Sequence, residues 1–344
     1  MKKKLIALAI AGAMTAPMAA MADVKISGQL QTQLVSAGGS DAGAKGLYMS
    51  DGGMIENQRA GNWGALSVNA SHDLGNGMKA LASYGFNIST QNGIGNSAIG
   101  TRQAYVGLAG DFGAVLAGRM NHPYKTATIG WDPFVATFMQ ARGNGGMGGG
   151  AAGALYGAET NNALAYAGTF GGVRVVAALV VDDADDTTND KTVGNHGMAI
   201  SVNVPVGPVE IALAHADLSE NQTFSNQYLA AFGSPQVKDL SATKIGVKYS
   251  AGDLTVAAQY EMFDEGLGDG NAMFVTGSYK MGANTISASV GMEDDDLRDG
   301  TYMAVGVSHA MSSQASVFAG FRASDLLDGE YKTNAVGAGL RVRF

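Results

Sequence analysis

The stretch AVGAGLRVRF, residues 335–344, alternates without a break: Val336, Ala338, Leu340, Val342 and Phe344 fall on one side of an extended chain, and Gly337, Gly339, Arg341 and Arg343 on the other. Alternation of period two is the signature of a strand with one apolar face. A chain terminus is ordinarily polar and frayed unless something ties it down. A strand that runs to a bare phenylalanine therefore needs a neighbour along its whole length, and the rest of the sequence has to supply it.

The same texture recurs almost everywhere. Val24, Ile26, Leu30 and Leu34 alternate with Lys25, Ser27, Gln29, Gln31 and Gln33, and Ile245, Val247 and Tyr249 with Lys244, Gly246 and Lys248. Sixteen such segments can be marked: 23–36, 62–73, 78–90, 100–110, 114–120, 160–170, 172–182, 197–206, 208–217, 241–251, 253–264, 271–281, 283–293, 300–311, 313–323 and 332–344. Brief turns such as Gly171-Gly172, Gly207-Pro208, Gly252-Asp253 and Met281-Gly282 alternate with longer polar connections. A soluble sandwich would oppose its apolar face with a strongly polar one; here the second face is mostly Gly, Ala, Ser, Asn and Gln, which suits a wall beside water. An even number of strands of about ten residues, with short turns at one end and long loops at the other, is the pattern of an outer-membrane barrel. In lipid every backbone N–H and C=O must find a partner, so the sheet must close and its first and last strands must pair. Phe344 then completes the seam with its ring on the lipid face, and Tyr84, Tyr166, Phe170, Tyr249, Tyr260, Tyr279 and Phe321 share that outward parity as an interfacial belt.

The first 22 residues read as an export signal: Lys2, Lys3 and Lys4 precede an apolar core too short to span a bilayer, and Ala20-Met21-Ala22 fits the cleavage rule. Cleavage after Ala22 would leave residues 23–344 as a single barrel domain and, by removing three lysines and no acids, take the formal charge from −8 to −11. Such a surface repels nucleic acid. Cysteine is absent, which removes disulfides and thiolate metal sites.

Chemistry-bearing motifs are weak. His72, His122, His196, His215 and His309 lack ligand spacing, no G-x-S-x-G occurs, and GNGGMGGG (143–150) has no Lys-Ser/Thr after it. The run DDADD (182–186), read as a calcium loop from Asp183, has Thr188 and Gly194 where glycine and glutamate are required. It reads as a solvated outer loop, with loose divalent bridging to lipopolysaccharide as a minor role, and EDDD (293–296) reads the same way. No cofactor, metal or enzymatic activity is expected. A secreted adhesin would show internal repeats, which are missing, and a substrate-specific channel stays open because it differs only in loop residues.

The segments TRQAYVGLAGDFGAVLAGR (101–119), SHDLGNGMKA (71–80) and NNALAYAGTFGG (161–172), with the VKISGQL start and the terminal Phe344, resemble the Gram-negative general porins in layout across the mature chain. The resemblance implies an all-β, sixteen-stranded antiparallel transmembrane barrel with a long third loop folded inward, usually a homotrimer in outer-membrane lipid, passing small hydrophilic solutes by diffusion. It also implies that Phe344 is read by the barrel assembly machinery. The third loop would be 121–159. Family members carry a ladder of lumen arginines facing acids on that loop; Arg102 and Arg119 match it, whereas the second-strand position falls on Ala65 and the sixth-strand position near Glu159, so the ladder is thinned and one rung reversed. Asp132 is the expected acidic partner and Arg142 an extra cation. Strand parity places Lys79, Arg174, Arg322, Arg341 and Arg343 on the lumen face as well.

Overall fold

The computed structural model describes residues 23–39, 45–55, 58–60, 64–91, 99–144, 146–147, 155–156, 159–181, 196–218, 240–264, 269–295, 299–326 and 331–344. The expected export signal and the DDADD run lie outside the described residues. Nineteen strands follow in chain order: β1 (Asp23–Gly39), β2 (Gly46–Ser50), β3 (Gly53–Ile55), β4 (Gln58–Ala60), β5 (Gly64–Gly75), β6 (Met78–Ile88), β7 (Ile99–Gly110), β8 (Gly113–Asn121), β9 (Glu159–Phe170), β10 (Val173–Val181), β11 (His196–Val206), β12 (Val209–Leu218), β13 (Ser241–Ala251), β14 (Leu254–Asp264), β15 (Asp269–Met281), β16 (Asn284–Asp295), β17 (Gly300–Ala310), β18 (Ala315–Leu326) and β19 (Tyr331–Arg343). A short helix, α1 (Pro123–Thr128), begins the longest connection.

Every neighbour pair from β5 to β19 is antiparallel, and β19 returns to β1, so the sheet closes on itself as a sixteen-stranded barrel. All sixteen spans expected from the alternation are present, with ends shifted by a few residues. The short turns follow from glycine: Gly171 and Gly172 both have positive φ (56° and 88°), the backbone of a type I′ hairpin, whose twist matches that of its strands.

One feature of the wall escaped the alternation. β1 pairs along one edge with β19, and along the other with β5 (Asp23↔Ser71 to Gln29↔Ala65) and then with β2 (Gln33↔Ser50 to Ala37↔Gly46). The second wall strand is thus split in two, with the β3–β4 hairpin inserted between its halves. Where the split leaves β1 without a strand partner, the Thr90 hydroxyl donates to the Gln31 carbonyl (2.9 Å), and Asp51 accepts from Ser89 Oγ (2.5 Å) and the Thr90 N–H (3.1 Å). Side chains of the next connection therefore do the work of a ladder.

The seam closes as the sequence requires. Gly28 N–H donates to the Phe344 carbonyl at 2.8 Å and Phe344 N–H donates to the Gly28 carbonyl at 3.0 Å. The Phe344 ring lies over Gly28 so closely that a Cβ there would sit 2.5 Å from its Cζ. Around the outside, Leu30, Leu164, Met198, Leu213, Ile245 and Val305 stand exposed on one parity, as do Tyr84, Phe170, Tyr249, Tyr260, Tyr279 and Phe321. A surface this apolar is stable only against lipid. The buried side chains lie on the opposite parity, where Tyr124, Phe134, Phe138, Met139, Met147, Leu155 and Tyr156 pack against the wall.

Candidate functional site

The long connection is built from the strand ends inward. His122 caps α1, its Nδ1 accepting from the Tyr124 N–H at 3.3 Å, and Pro123 supplies a first helical residue that needs no hydrogen-bond acceptor. Burial, reinforced by Lys244 and Lys125, pushes the His122 ring down to about 3, so it stays neutral. From there the segment is pinned to the wall at successive points. The Tyr124 hydroxyl donates to Glu261 on β14 (2.6 Å), and the Lys244 ammonium on β13 donates to the Tyr156 hydroxyl (2.9 Å) while lying 3.8 and 4.0 Å above the Tyr124 and Tyr156 rings. Burying an ammonium costs several kcal/mol, which a single cation–π contact of about 2 kcal/mol does not repay. Glu261, fully buried beside it, supplies the opposite charge.

Farther along, Trp131 covers Gly246 on β13, and Lys248 sits 5.4 Å above the indole while holding Glu210 at 2.8 Å. The tip then crosses to β17, β18, β19 and β1. Gly306, Gly320 and Gly337 face one another across three adjacent strands, and this glycine row receives Phe134, Phe138 and Met139. A Cβ at Gly306 would lie 3.0 Å from both Met139 Sδ and Phe134, and one at Gly337 would lie 3.1 Å from Phe138. Polar clamps surround the socket. Arg341 donates to the Val135 carbonyl (3.2 Å) and to Gln31 Oε1 (2.6 Å), Gln33 Oε1 accepts from the Phe138 N–H (3.1 Å), Tyr302 donates to the Met139 carbonyl, and Arg322 donates to Asn144 Oδ1 (2.6 Å). Two of the sequence-predicted lumen arginines, Arg322 and Arg341, therefore each donate to the loop.

Asp132, expected as the acidic partner of the lumen arginines, and Arg142, expected as an extra cation, both have their hydrogen-bonding groups engaged within the loop. Asp132 is 1% exposed, and its two oxygens accept from the Phe134 and Ala141 N–H groups, both at 2.8 Å. The carboxylate thus closes the turn that carries the apolar tip and acts as a brace inside the loop. Arg142 is buried too, donating to the Tyr156 carbonyl at 2.9 Å and so tying the two arms of the loop together. The physical reason is backbone demand: an irregular segment away from water must find acceptors for its own N–H groups. Burial pushes the Asp132 carboxyl up from 3.8 to about 6, against the two N–H donors. A folded-state value above the unfolded one means that the stabilising contribution is complete below about pH 4 and is lost as pH rises through about 6. Single-channel current noise is accordingly expected to grow between pH 4 and 7 as the tip loosens, and this growth should vanish in Asp132→Asn; noise that stays flat in the unmodified protein would refute the assignment.

At the root of the loop, Arg102, Arg119 and Lys125 converge on Glu159, with N···O distances of 3.6, 3.8 and 3.0 Å. Both arginines sit at interruptions of the ladder. The β6–β7 register steps from Gly85↔Gln103 to Phe86↔Thr101 around Arg102, and the β8–β9 register steps from Gly118↔Ala163 to Met120↔Thr160 opposite Asn162, whose φ is 50°. Bulges of this kind re-aim a side chain. Arg119 also donates to the Asn161 amide oxygen (2.6 Å) and to the Arg102 and Glu159 carbonyls. Glu159, read in the sequence as a reversed rung, is a carboxylate that three cations share. Lys125 went unrecognised in the sequence because its role depends on α1, although His-Pro ahead of it is a helix-start signal. Burial holds Lys125 down to about 8 against the pull of Glu159, so it is charged at neutral pH. Lys79, Arg174 and Arg343 lie near the short-turn ends of their strands and are exposed.

A closed antiparallel barrel with a lipid-compatible exterior, a polar inner face and a charged cluster beside a long, wall-bound loop defines a transmembrane β-barrel of the outer-membrane class. The sequence profile of the family described as Gram-negative porin matches residues 7–328, and the chain belongs to that family. The membership and the barrel place it in the outer membrane. Among curated relatives it is 30% identical over 148 residues to the major outer membrane protein P.IA of Neisseria meningitidis serogroup B, covering 39% of this chain and 37% of that protein. It is 33% identical over 132 residues to the P.IB protein of Neisseria gonorrhoeae, covering 36% and 34%. The chain thus matches little more than a third of the length of these relatives. Among solved structures, the anion-selective porin from Comamonas acidovorans superposes with a TM-score of 0.73 at 19% identity over 94% of this chain and 100% of that one. The trimer form of OmpT from Vibrio cholerae gives 0.64 at 16% identity over 94% and 100%. These likenesses establish the barrel fold.

Proposed function

We propose that the protein is a homotrimeric outer-membrane channel through which ions and small hydrophilic solutes diffuse, and that the described part of the third loop, from His122 to Asn144, lies within the lumen and narrows it. The observation that carries this reading is the set of bonds from one loop to inner-face residues on β13 and β14 and also on β17, β18, β19 and β1. A segment reaches walls that far apart around a closed barrel by crossing its interior. Selection then follows from the size of the remaining passage and from the charges beside it. Residues 1–22 are read as the export signal, lipopolysaccharide as the outer neighbour and Phe344 as part of the signal for the barrel assembly machinery.

Planar-bilayer recording of the purified protein tests the channel directly. Discrete conductance steps that close in threes are expected, and silence from folded, inserted protein would overturn the reading. Arg102, Arg119 and Lys125 against Glu159 leave two net positive charges at the loop root. Arg102→Glu reduces these to none, so the reversal potential in a salt gradient is expected to move toward cation preference without loss of folded barrel. An unchanged potential would remove Arg102 from the conducting path.

A further inference from the structure

We propose that Met262, Met273, Met292 and Met303 form, on the outer face of the barrel, a thioether site for a soft monovalent metal ion, Cu(I) or Ag(I). The site depends on the wall and its register, and is independent of conduction.

The four residues come from four consecutive strands, β14 to β17, and each is exposed on the lipid-facing parity, at 44–58%. The register brings them together. Met273 stands directly opposite Met292; Met262 is opposite Asn271 and so diagonal to Met273, and Met303 is opposite Val290 and so diagonal to Met292. Side chains directly opposite on one face have Cβ atoms about 4.5–5.5 Å apart, and diagonal neighbours about 7–8 Å apart remain within reach of long side chains. The three rotatable bonds of methionine let each sulfur turn toward a shared point.

Packing gives no reason for such a run. Methionine ordinarily fills irregular gaps in a core, and fluid lipid presents no such gap. Strands favour β-branched and aromatic residues, and the adjoining outward row toward the middle of the barrel is of that kind, with Tyr260, Val275, Val290 and Val305. What four neighbouring thioethers add is a donor set of neutral, soft sulfur, which selects Cu(I) and, by the same softness, Ag(I). Among the described residues no three His, Cys, Asp or Glu side chains gather to hold a metal ion, so no harder donor set competes there.

A cation is costly in the apolar middle of a bilayer. These methionines stand at its edge: each lies two to four residues from the long-loop end of its strand, and the next outward row toward the rim is polar, with Asp264, Asn271, Asp294 and Thr301. Asp294 is exposed and stands about 7 Å along β16 from Met292, near enough to offset a single positive charge.

The test is titration of the purified, folded barrel in detergent with silver nitrate in chloride-free buffer, bound silver being counted by native mass spectrometry. One Ag(I) per chain is expected. Met273→Leu/Met292→Leu, which keeps the surface apolar, should weaken binding about tenfold or more. Met198→Leu should leave it unchanged, because Met198 is as exposed but is opposed by Leu179 and Asp217. X-ray absorption at the silver edge should place two or more sulfur atoms around the ion, and excess Mg(II) or Zn(II) should not displace it. Unaltered affinity in the double variant overturns the site, and so does a shell of nitrogen and oxygen alone or displacement by either hard ion. Should the double variant not fold, the absorption spectrum and the competition of the unmodified protein decide the matter.

Discussion

Deletion of Phe344 is expected to lower the yield of folded, membrane-inserted barrel by about tenfold or more, both in cells and on refolding into lipid without assembly factors. Two effects combine. The deletion removes a reciprocal pair of backbone bonds, so that Gly28 loses partners for both its N–H and its C=O at the seam. It also uncovers Gly28, the ring's seat on the outer surface. An unsatisfied backbone group facing hydrocarbon costs several kcal/mol, and about 1.4 kcal/mol already corresponds to a tenfold change in an equilibrium. Phe344→Ala separates seam closure from recognition of the ring, because alanine preserves the backbone pair. It should refold in lipid nearly as well as the unmodified protein and be deficient in cells alone. Heat-modifiable mobility on gels measures both yields. Normal insertion of the deletion variant would show that the β1–β19 ladder closes without its last rung.

How far the sequence discloses this molecule depends on whether the information is local. The wall is local: each strand repeats its own alternation, and a turn such as Gly171-Gly172 declares itself by composition, so all sixteen spans and the pairing of the first strand with the last can be anticipated, though not that Gly28 is the residue that meets Phe344. The split of the second wall strand is not, because GLYMS (46–50) is too short to stand out and its partner is β1, not the strand that continues it. The loop is less legible still. Its socket is made of Gly306, Gly320 and Gly337, residues on three different strands that become a row only through the register. In the sequence they look like any inward glycine beside water. Asp132 misleads for a related reason: an acid in a long polar loop suggests a solvent-facing charge, whereas the backbone N–H groups of Phe134 and Ala141 claim it once the loop is packed. Arg102, Arg119 and Glu159 were each expected near the constriction, but neither the ion pairs between them nor the bulges that aim them could be read from the sequence.

The second large effect is expected at the loop tip. Phe138 and Met139 are both 1% exposed and lie against the glycine row, and truncation of such side chains in a packed core costs about 3–5 and 2–5 kcal/mol. In Phe138→Ala/Met139→Ala the wall retains its complete ladder, so the barrel should keep its heat stability while the tip loses most of what holds it apart from the polar clamps. Those clamps do not compensate: a net hydrogen bond contributes about 0.5–1.5 kcal/mol, and the bond from Tyr302 to the Met139 carbonyl itself depends on the tip being seated. Low-stability segments open locally while the rest of a fold remains intact. The single-channel current is therefore expected to become larger and noisier, with the closing steps preserved. Unaltered conductance in the double alanine variant would mean that the glycine socket holds the tip without governing the width of the passage. The constriction would then be set nearer the loop root, where Arg102, Arg119 and Lys125 surround Glu159.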